Sequence, residues 1–324
     1  MDRAADAGNA VGRLPVEFDR IARYFAPLAG PGGLGLLDDA AVLMPPPGRE
    51  LVLSADAMVG GVHFLVDDPP ALVARKLLRV NLSDLAAKGA DPLGYLLTVS
   101  VPRETTDEWF AEFTAGLAQD QAAFGIALLG GDSTSTAGPV SLSLTIIGHV
   151  APGTMVRRDG ARPGDGLWVT GTIGDGGLGL LAARGEIPDP TGYLAGRYRL
   201  PEPRLGLVDT TFVHAAVDVS DGFIQDAGHI CRASGVGLTI DTDALPLSAA
   251  ALAAPPDSVR AMIAAGDDYE LLMAVPDATV EVLQGRAATL GIPLTRIGTF
   301  TTEQPGTVRM IGDRGADNSG WSHF

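Results

Sequence analysis

Cysteine is almost absent from this chain, and so are the apolar segments that would direct it to a membrane. Cys231 is the single cysteine among 324 residues, so neither a disulfide framework nor a thiolate zinc site can be built. Residues 1–13 are polar and alanine-rich, which predicts no signal peptide. No run of about 18 apolar residues occurs, which predicts no transmembrane helix. These absences lead us to expect a cytoplasmic protein.

Positive charge is also scarce. Lysine and arginine together number 23 against 39 acidic residues, so the formal net charge is −16. Nucleic acids and anionic membrane surfaces both attract basic patches, so we expect neither as a partner. The chain also lacks a G-x-x-x-x-G-K-[ST] loop and the glycine-rich loop of protein kinases. Any nucleotide phosphates must therefore be held by other groups.

Apolar periodicity and turn residues predict two domains of the α/β class. We expect helices over residues 16–28, 70–87, 105–124, 178–184, 223–233 and 280–290. We expect strands over residues 40–44, 50–55, 95–101, 126–129, 142–150, 166–170, 215–219, 238–240 and 271–275. The alternation is too irregular for a doubly wound sheet, so two mixed α/β domains in an α+β-like arrangement fit best. The loop that begins at Pro152-Gly153 places the boundary between residues 1–152 and 153–324.

Aspartates recur in turns and at the ends of apolar runs. Four of the acidic clusters interrupt or end runs that resemble strands, at residues 51–53, 126–129, 215–217 and 261–265. The clusters are Asp38-Asp39, Asp56, Asp84, Asp132, Asp218 with Asp221, and Asp267-Asp268. Taken singly, each aspartate is explained equally well as a helix N-cap or an Asx turn. Several carboxylates buried together need cations, and oxygen ligands with no nearby His or Cys favour Mg²⁺ over zinc.

Two glycine-rich turns are candidates for approaching phosphates. Gly130-Gly131-Asp132-Ser133-Thr134 combines glycines that permit close approach with a carboxylate and hydroxyls. The second turn, residues 174–179, follows a predicted strand and is equally well explained as a tight turn that opens a helix.

The motifs resemble those of the thiamine-monophosphate kinase family, within the superfamily of aminoimidazole ribonucleotide synthetase and selenophosphate synthetase. The resemblance extends from about Phe18 to Phe324. The shared segments are Asp38-Asp39-Ala40-Ala41, residues 56–64, residues 81–90, Gly130-Gly131-Asp132, residues 218–222, residues 266–271 and residues 320–324. Two of them are specific to the family, namely the segment that contains Val62-His63-Phe64 and the terminal Gly-Trp-Ser-His-Phe.

The resemblance implies an ATP-dependent kinase that phosphorylates thiamine monophosphate to thiamine diphosphate. It implies ATP as co-substrate and several Mg²⁺ ions, whose ligands would be Asp39, Ser54, Asp56, Asp84, Asp132, Asp218 and Asp221. The nucleotide would contact Gly131, Asp132, Arg158 and Ser220, and thiamine phosphate would contact His63, Asp267 and Trp321. The N-terminal domains would form a homodimer. The acceptor is an already ionised phosphate, so we expect no catalytic general base.

Several positions depart from the family pattern. Leu37 replaces a glycine, Ala55 replaces a threonine, Lys88 replaces a methionine, and Ala265 and Asp267 replace a glycine and a glutamate. Three alternatives therefore remain open. The chain could be another ATP-dependent enzyme of the superfamily, a nucleotide-binding dimer without activity, or an acidic α/β scaffold without a ligand.

Overall fold

The computed structural model describes residues 16–312, in which helices and strands alternate. The helices are α1 (Val16–Arg20), α2 (Pro70–Ala87), α3 (Asp107–Phe124), α4 (Asp175–Ala183), α5 (Tyr193–Arg199), α6 (Phe223–Ser234), α7 (Ala249–Ala253), α8 (Pro256–Met262) and α9 (Val280–Leu290). The strands are β1 (Glu50–Val59), β2 (Asp91–Pro102), β3 (Leu128–Thr136), β4 (Ser141–Val150), β5 (Gly166–Thr170), β6 (Ala215–Asp218), β7 (Gly237–Asp241), β8 (Leu271–Val275), β9 (Leu294–Thr301) and β10 (Val308–Ile311). None of the helices among these residues is long and apolar enough to cross a membrane.

The first sheet has four strands in the order β1-β4-β2-β3. β4 pairs antiparallel with both β1 and β2, whereas β2 and β3 are parallel. One face packs against α2 and α3 in a core that includes Leu77, Tyr95 and Phe113. A Cβ on Gly116 of α3 would lie 2.2 Å from the Ala71 carbonyl oxygen, so glycine lets these two helices approach closely.

The second sheet has six strands in the order β10-β7-β9-β5-β8-β6. β7 and β10 are parallel, and the other neighbours are antiparallel. Successive residues of β5 point to opposite cores, with Leu167 and Val169 packing beside α6, while Trp168 packs beside α9. Both faces of this sheet are therefore covered, which explains why every residue of β5 and β8 is buried.

Helix α2 joins the two halves of the molecule. Its middle turns belong to the core of the first sheet, whereas Ala86 and Ala87 at its C-terminus pack with Val208 and Trp168 of the second half. A Cβ on Gly89, just after the helix, would lie 2.7 Å from the Val208 carbonyl oxygen. Side chains on α2 can therefore reach both halves.

The predicted fold class is confirmed, with two mixed sheets and their helices. The helix predicted at residues 16–28 is helical throughout but passes from α to π and then to 3₁₀ geometry, where Pro27 supplies no N–H donor. The strand predicted at residues 40–44 is wrong. That segment pairs with no strand, and its Val42 N–H donates to the Gly32 carbonyl instead. Residues 261–265, read as strand-like, end α8 and form a turn. The sequence patterns missed α5, α7, α8, β9 and β10.

Candidate active site

Strand β1 and helix α2 bring the first predicted ligands together. Ser54 and Asp56 lie on the face of β1 that α2 covers, two residues apart as the strand alternation requires. The Ser54 hydroxyl donates to Asp84 Oδ2 at 2.5 Å. The Asp56 backbone N–H donates to Asn81 Oδ1 at 3.1 Å. The end of β1 is therefore tied to the last turns of α2 by polar contacts.

The turn after β6 adds the next predicted ligands from the second half. Asp218 ends β6, and its Oδ2 accepts from the Ser83 hydroxyl of α2 at 2.7 Å. Asp226 in α6 accepts three backbone N–H groups, from Ser220, Asp221 and Gly222, at 3.1–3.2 Å. Asp226 therefore fixes the turn that carries Asp221.

Burial raises the pKa values of Asp56, Asp84 and Asp218, and repulsion from neighbouring carboxylates adds to the effect at Asp56 and Asp218. Burial, then the charges of Asp84, Asp218 and Asp221, raise the pKa of Asp56 from 3.8 to about 7. Burial and then Asp84 raise the pKa of Asp218 to about 6. Burial also raises the pKa of Asp84, against the Ser54 hydrogen bond and the charges of nearby cations. We call Asp56, Asp84, Asp218 and Asp221 the carboxylate cluster.

The chemistry of this cluster fits a hard divalent cation. Its four carboxylates come from β1, α2, the end of β6 and the turn that follows it, and the buried ones hold negative charge at an energetic cost. A bound cation would remove that cost, and carboxylate and hydroxyl oxygens are ligands that Mg²⁺ accepts.

The expectation that no histidine lies near the acidic residues is wrong. Ligand atoms of Asp221, Asp226 and His229 all lie within 4.8 Å of one another. The sequence did not reveal this contact, because His229 is eight residues beyond Asp221. It lies in α6, a helix in which the sequence predicted no site residue. His229 Nδ1 is paired with an Arg232 guanidinium nitrogen at 3.0 Å. Burial and the Arg232 charge lower the pKa of His229, which favours the neutral ring.

Asp132 lies apart from the carboxylate cluster within one chain. The register places Asp56 beside Leu144, Leu144 beside Leu97, and Leu97 beside Gly131. Three strand spacings of about 4.8 Å separate β1 from β3, or about 14 Å in all. Asp132 follows Gly131, so it lies on the opposite face of the sheet from Asp56.

Asp39, Gly131 and Asp132 share a different feature, a cavity of about 730 Å³. Apolar side chains such as Phe18, Ile21 and Leu129 line the rest of it. The Asp39 and Asp132 carboxylates are exposed at its edge. A Cβ on Gly131 would lie 1.7 Å from the Leu97 carbonyl oxygen, so this position requires glycine for the strands to pair.

Lys76 bridges the predicted acceptor residues His63 and Asp267, which lie in different halves of the molecule. Lys76 of α2 donates to the His63 carbonyl at 3.0 Å and to Asp267 Oδ2 at 2.9 Å. The Tyr198 hydroxyl of α5 also donates to the His63 carbonyl, at 3.3 Å. The His63 ring accepts the Val59 backbone N–H at Nδ1, at 2.9 Å, which leaves the ring hydrogen on Nε2. Trp321 lies outside the described residues.

The predicted nucleotide residues Arg158 and Ser220 flank the carboxylate cluster. The Arg158 side chain is exposed, and its charge acts to lower the pKa of Asp84. The Ser220 backbone is held on both sides, because its N–H donates to Asp226 and its carbonyl accepts from the Asp267 N–H at 2.9 Å. Ser220 therefore connects the turn that carries Asp221 to Asp267.

Comparison with known proteins identifies the family. The model for the AIR synthase related protein N-terminal domain matches residues 37–150, and the model for the corresponding C-terminal domain matches residues 162–311. A thiamine-monophosphate kinase from Caulobacter vibrioides is 46% identical, over 98% of this chain and 94% of its own length. The chain belongs to the thiamine-monophosphate kinase family.

Solved structures of this kinase family have the same fold. The crystal structure of thiamine-monophosphate kinase from Stenotrophomonas maltophilia aligns with a TM-score of 0.78 at 39% identity, covering 86% of this chain and 91% of that one. A structure described as AaThiL complexed with AMPPCP and TMP aligns with a TM-score of 0.73 at 28% identity, covering 90% of this chain and 97% of that one.

Sequence reasoning missed four residues that shape this kinase-family site. Ser83 and Asn81 stand inside a segment singled out for Asp84, and their polarity on a buried helix was the available signal. Asp226 has the position of a helix-capping carboxylate, four residues after Gly222. Lys76 carried no local signal, because its partner Asp267 is 191 residues away.

Proposed function

We propose that this chain transfers the terminal phosphoryl group of ATP to thiamine monophosphate and forms thiamine diphosphate with the help of Mg²⁺. One observation carries the proposal, namely that a member of this kinase family gathers four carboxylates between its two halves, and that burial and repulsion raise the pKa values of two of them, Asp56 and Asp218. The structure described with AMPPCP and TMP supports the choice of substrates, since that relative aligns over 90% of this chain.

Magnesium fits the residues that are present. We propose that Ser54 and the carboxylate cluster hold it, and that Asp39 and Asp132 hold a further ion at the cavity edge. The ions would supply positive charge that offsets the repulsion between two phosphates, which is about 4 kcal/mol per pair of unit charges at 4 Å and an effective dielectric constant near 20.

The protein's own residues then position the two phosphates. Arg158 and the Ser220 backbone lie beside the cluster and would contact nucleotide phosphates. Lys88, just after α2, donates to the Ala216 carbonyl at 2.9 Å, and the charges of Asp218 and Asp84 act on it. An ionised phosphate oxygen of the acceptor attacks the terminal phosphorus and ADP leaves. No side chain needs to remove a proton, so no general base is proposed.

The acceptor would lie between the first and second halves. His63 and Asp267 face this region, and we propose that they contact thiamine monophosphate together with Trp321. A tryptophan face can stack on the cationic thiazolium ring, an attraction of roughly 0.5–2 kcal/mol. Asp267 is shorter than the glutamate of the family pattern, yet its carboxylate is held in place by Lys76.

We also propose that residues 1–152 form the domain that binds ATP and Mg²⁺ and makes a homodimer, while residues 153–324 complete the site. The face of the first sheet opposite α2 leaves Leu51, Leu53 and Leu96 exposed at 41%, 61% and 39%. An apolar sheet face of this kind is typical of a surface that a partner covers. Asp132 lies on the same face, so in a homodimer it would sit near the partner subunit.

The decisive experiment incubates the purified protein with ATP, MgCl₂ and thiamine monophosphate and measures thiamine diphosphate and ADP by chromatography. Equal amounts of both products support the proposal. ADP release that does not depend on thiamine monophosphate would point to another ATP-dependent enzyme of the superfamily, and binding of ATP without turnover would point to an inactive dimer. Asp257→Asn, an exposed carboxylate on α8, is the matched control for substitutions in the cluster.

A further inference from the structure

The chain contains only two lysines, Lys76 and Lys88, among its 23 basic residues. Lys76 lies on α2 and Lys88 directly follows it, and each side chain reaches the second half of the molecule. Lys88 donates to the Ala216 carbonyl on β6, whereas Lys76 donates to Asp267. The carboxylate cluster beside Lys88 accounts for a lysine at that position. The other lysine, Lys76, lies beside the predicted acceptor residues and requires an explanation of its own.

Lys76 is buried, with 2% of its surface exposed. Its ammonium group has three kinds of partner, which are the His63 carbonyl at 3.0 Å, Asp267 Oδ2 at 2.9 Å and the Tyr198 ring, whose centroid is 3.7 Å away. A buried ammonium is costly unless it is paired and hydrogen-bonded. These contacts satisfy that requirement, and they come from both halves.

The Asp267 backbone needs such support. Asp267 and Tyr269 have φ values of +69° and +51°, in the left-handed region that disfavours residues with a Cβ. Such conformations persist where several contacts determine them. Here the Asp267 N–H donates to the Ser220 carbonyl at 2.9 Å and the Tyr269 N–H donates to the Val219 carbonyl at 2.8 Å. Lys76 adds a bond from the first half, and it acts on the carboxylate itself.

We propose that Lys76 is a positioning residue for the phosphate acceptor. It holds the Asp267 carboxylate and the His63 turn together as one preformed surface for the acceptor. We call this surface the acceptor wall. This inference rests on the proposed function and deepens it, because it assigns acceptor affinity to a residue that need not touch the acceptor. Loss of Lys76 leaves Asp267 without its cation and removes the bridge between Asp267 and the His63 turn, whereas the carboxylate cluster keeps its own contacts with Ser54 and Ser83.

Kinetics of matched variants test the proposal. Lys76→Met should raise the KM for thiamine monophosphate about tenfold or more, the usual effect of removing a hydrogen bond between charged groups, with the KM for ATP within about twofold. Lys88→Met is the matched removal of the other lysine, and it should not raise the acceptor KM selectively. Because Lys76 acts in part through Asp267, the variant that combines Lys76→Met with Asp267→Asn should raise the acceptor KM by clearly less than the product of the two single effects. Independent, multiplicative effects would overturn the proposal.

A second measurement uses protein in which Lys76 is unchanged. With only two lysines, protein labelled with ¹³C at lysine Cε gives two side-chain signals, and the spectrum of Lys88→Met assigns them. Thiamine monophosphate should shift the Lys76 signal in the wild-type protein, and a non-hydrolysable ATP analogue with Mg²⁺ should leave it in place. This readout decides the matter if Lys76→Met does not fold. A wild-type protein that turns over thiamine monophosphate while the Lys76 signal stays unmoved refutes the role of Lys76 alone. Absence of any turnover refutes the proposed function, and this inference with it.

Discussion

Replacing Asp56 with asparagine should stabilise the metal-free protein. Asp56 lies on β1 beneath α2, and burial together with Asp84, Asp218 and Asp221 raises its pKa to about 7. Asparagine keeps the shape of the side chain and its backbone N–H bond to Asn81, but it removes the charge. If Asp56 serves ligand binding at the expense of folding, removing its charge should raise stability and lower ligand binding.

The magnitude follows from the two pKa values. The unfolded chain binds and releases its Asp56 proton near pH 3.8, and the folded chain near pH 7. Between these values the unfolded state has lost the proton that the folded state keeps, so this group destabilises the fold progressively as pH rises from about 4 to 7 and by a constant amount above. At about 1.4 kcal/mol per pH unit the upper limit is about 4 kcal/mol. Burying the amide offsets part of this, so we expect a net gain of about 1–3 kcal/mol at pH 8.

Thermal unfolding in EDTA is the measurement, run at pH 5 and pH 8 for wild-type protein, Asp56→Asn and the control Asp257→Asn. The wild-type protein and the control should lose stability between pH 5 and pH 8, and Asp56→Asn should lose less. At pH 8 the variant should melt several degrees above the wild-type protein. Adding MgCl₂ with an ATP analogue should raise the wild-type melting temperature more than that of the variant.

Two results would refute this reasoning. Equal pH dependence of the wild-type protein and Asp56→Asn would mean that Asp56 carries no repulsive charge in the folded state. A variant that responds to Mg²⁺ and nucleotide as strongly as the wild-type protein would show that Asp56 is not a ligand.

Further substitutions test other parts of the structure. Asp84→Asn should abolish phosphoryl transfer while the circular dichroism spectrum stays unchanged, and wild-type turnover would contradict the metal role. Gly266→Ala should destabilise the protein by about 2 kcal/mol or more in chemical denaturation, because a Cβ would lie 1.9 Å from the Ser220 carbonyl oxygen; an unchanged midpoint would contradict the backbone contact. Leu53→Glu should convert the proposed dimer to a monomer in light scattering, and a persistent dimer would place the interface elsewhere. Trp321→Ala should raise the KM for thiamine monophosphate more than that for ATP, and equal effects would exclude ring stacking.

Local patterns predicted most of the long elements. The helix at residues 70–87 was predicted with its bounds because Pro69 and Pro70 mark its start and its apolar face is continuous. The segment at residues 40–44 looked equally apolar, but a strand exists only where another strand pairs with it, and none does. The short helices α5 and α7 were missed because five to seven residues give no clear periodicity.

The site was predicted only where its residues lie within compact motifs, because contacts between distant segments leave no local pattern. Residues inside compact motifs, such as Asp56, Asp84 and Asp218, do meet in the structure. The grouping of Asp132 with them could not be checked from the sequence, because strand order and sheet face are decided by tertiary pairing. Lys76 and its partner Asp267 are 191 residues apart, and no local pattern connects them.

Helix α2 gives the proposed reaction a fixed length scale. Lys76, which holds the acceptor wall, and Asp84, which belongs to the carboxylate cluster, are eight residues apart on one uninterrupted helix, a rise of about 12 Å. A helix does not stretch as a loop does, so α2 fixes the distance between the acceptor wall and the phosphates. Acceptors that differ from thiamine monophosphate in the distance between ring and phosphate would be rejected by length, even where each end is recognised.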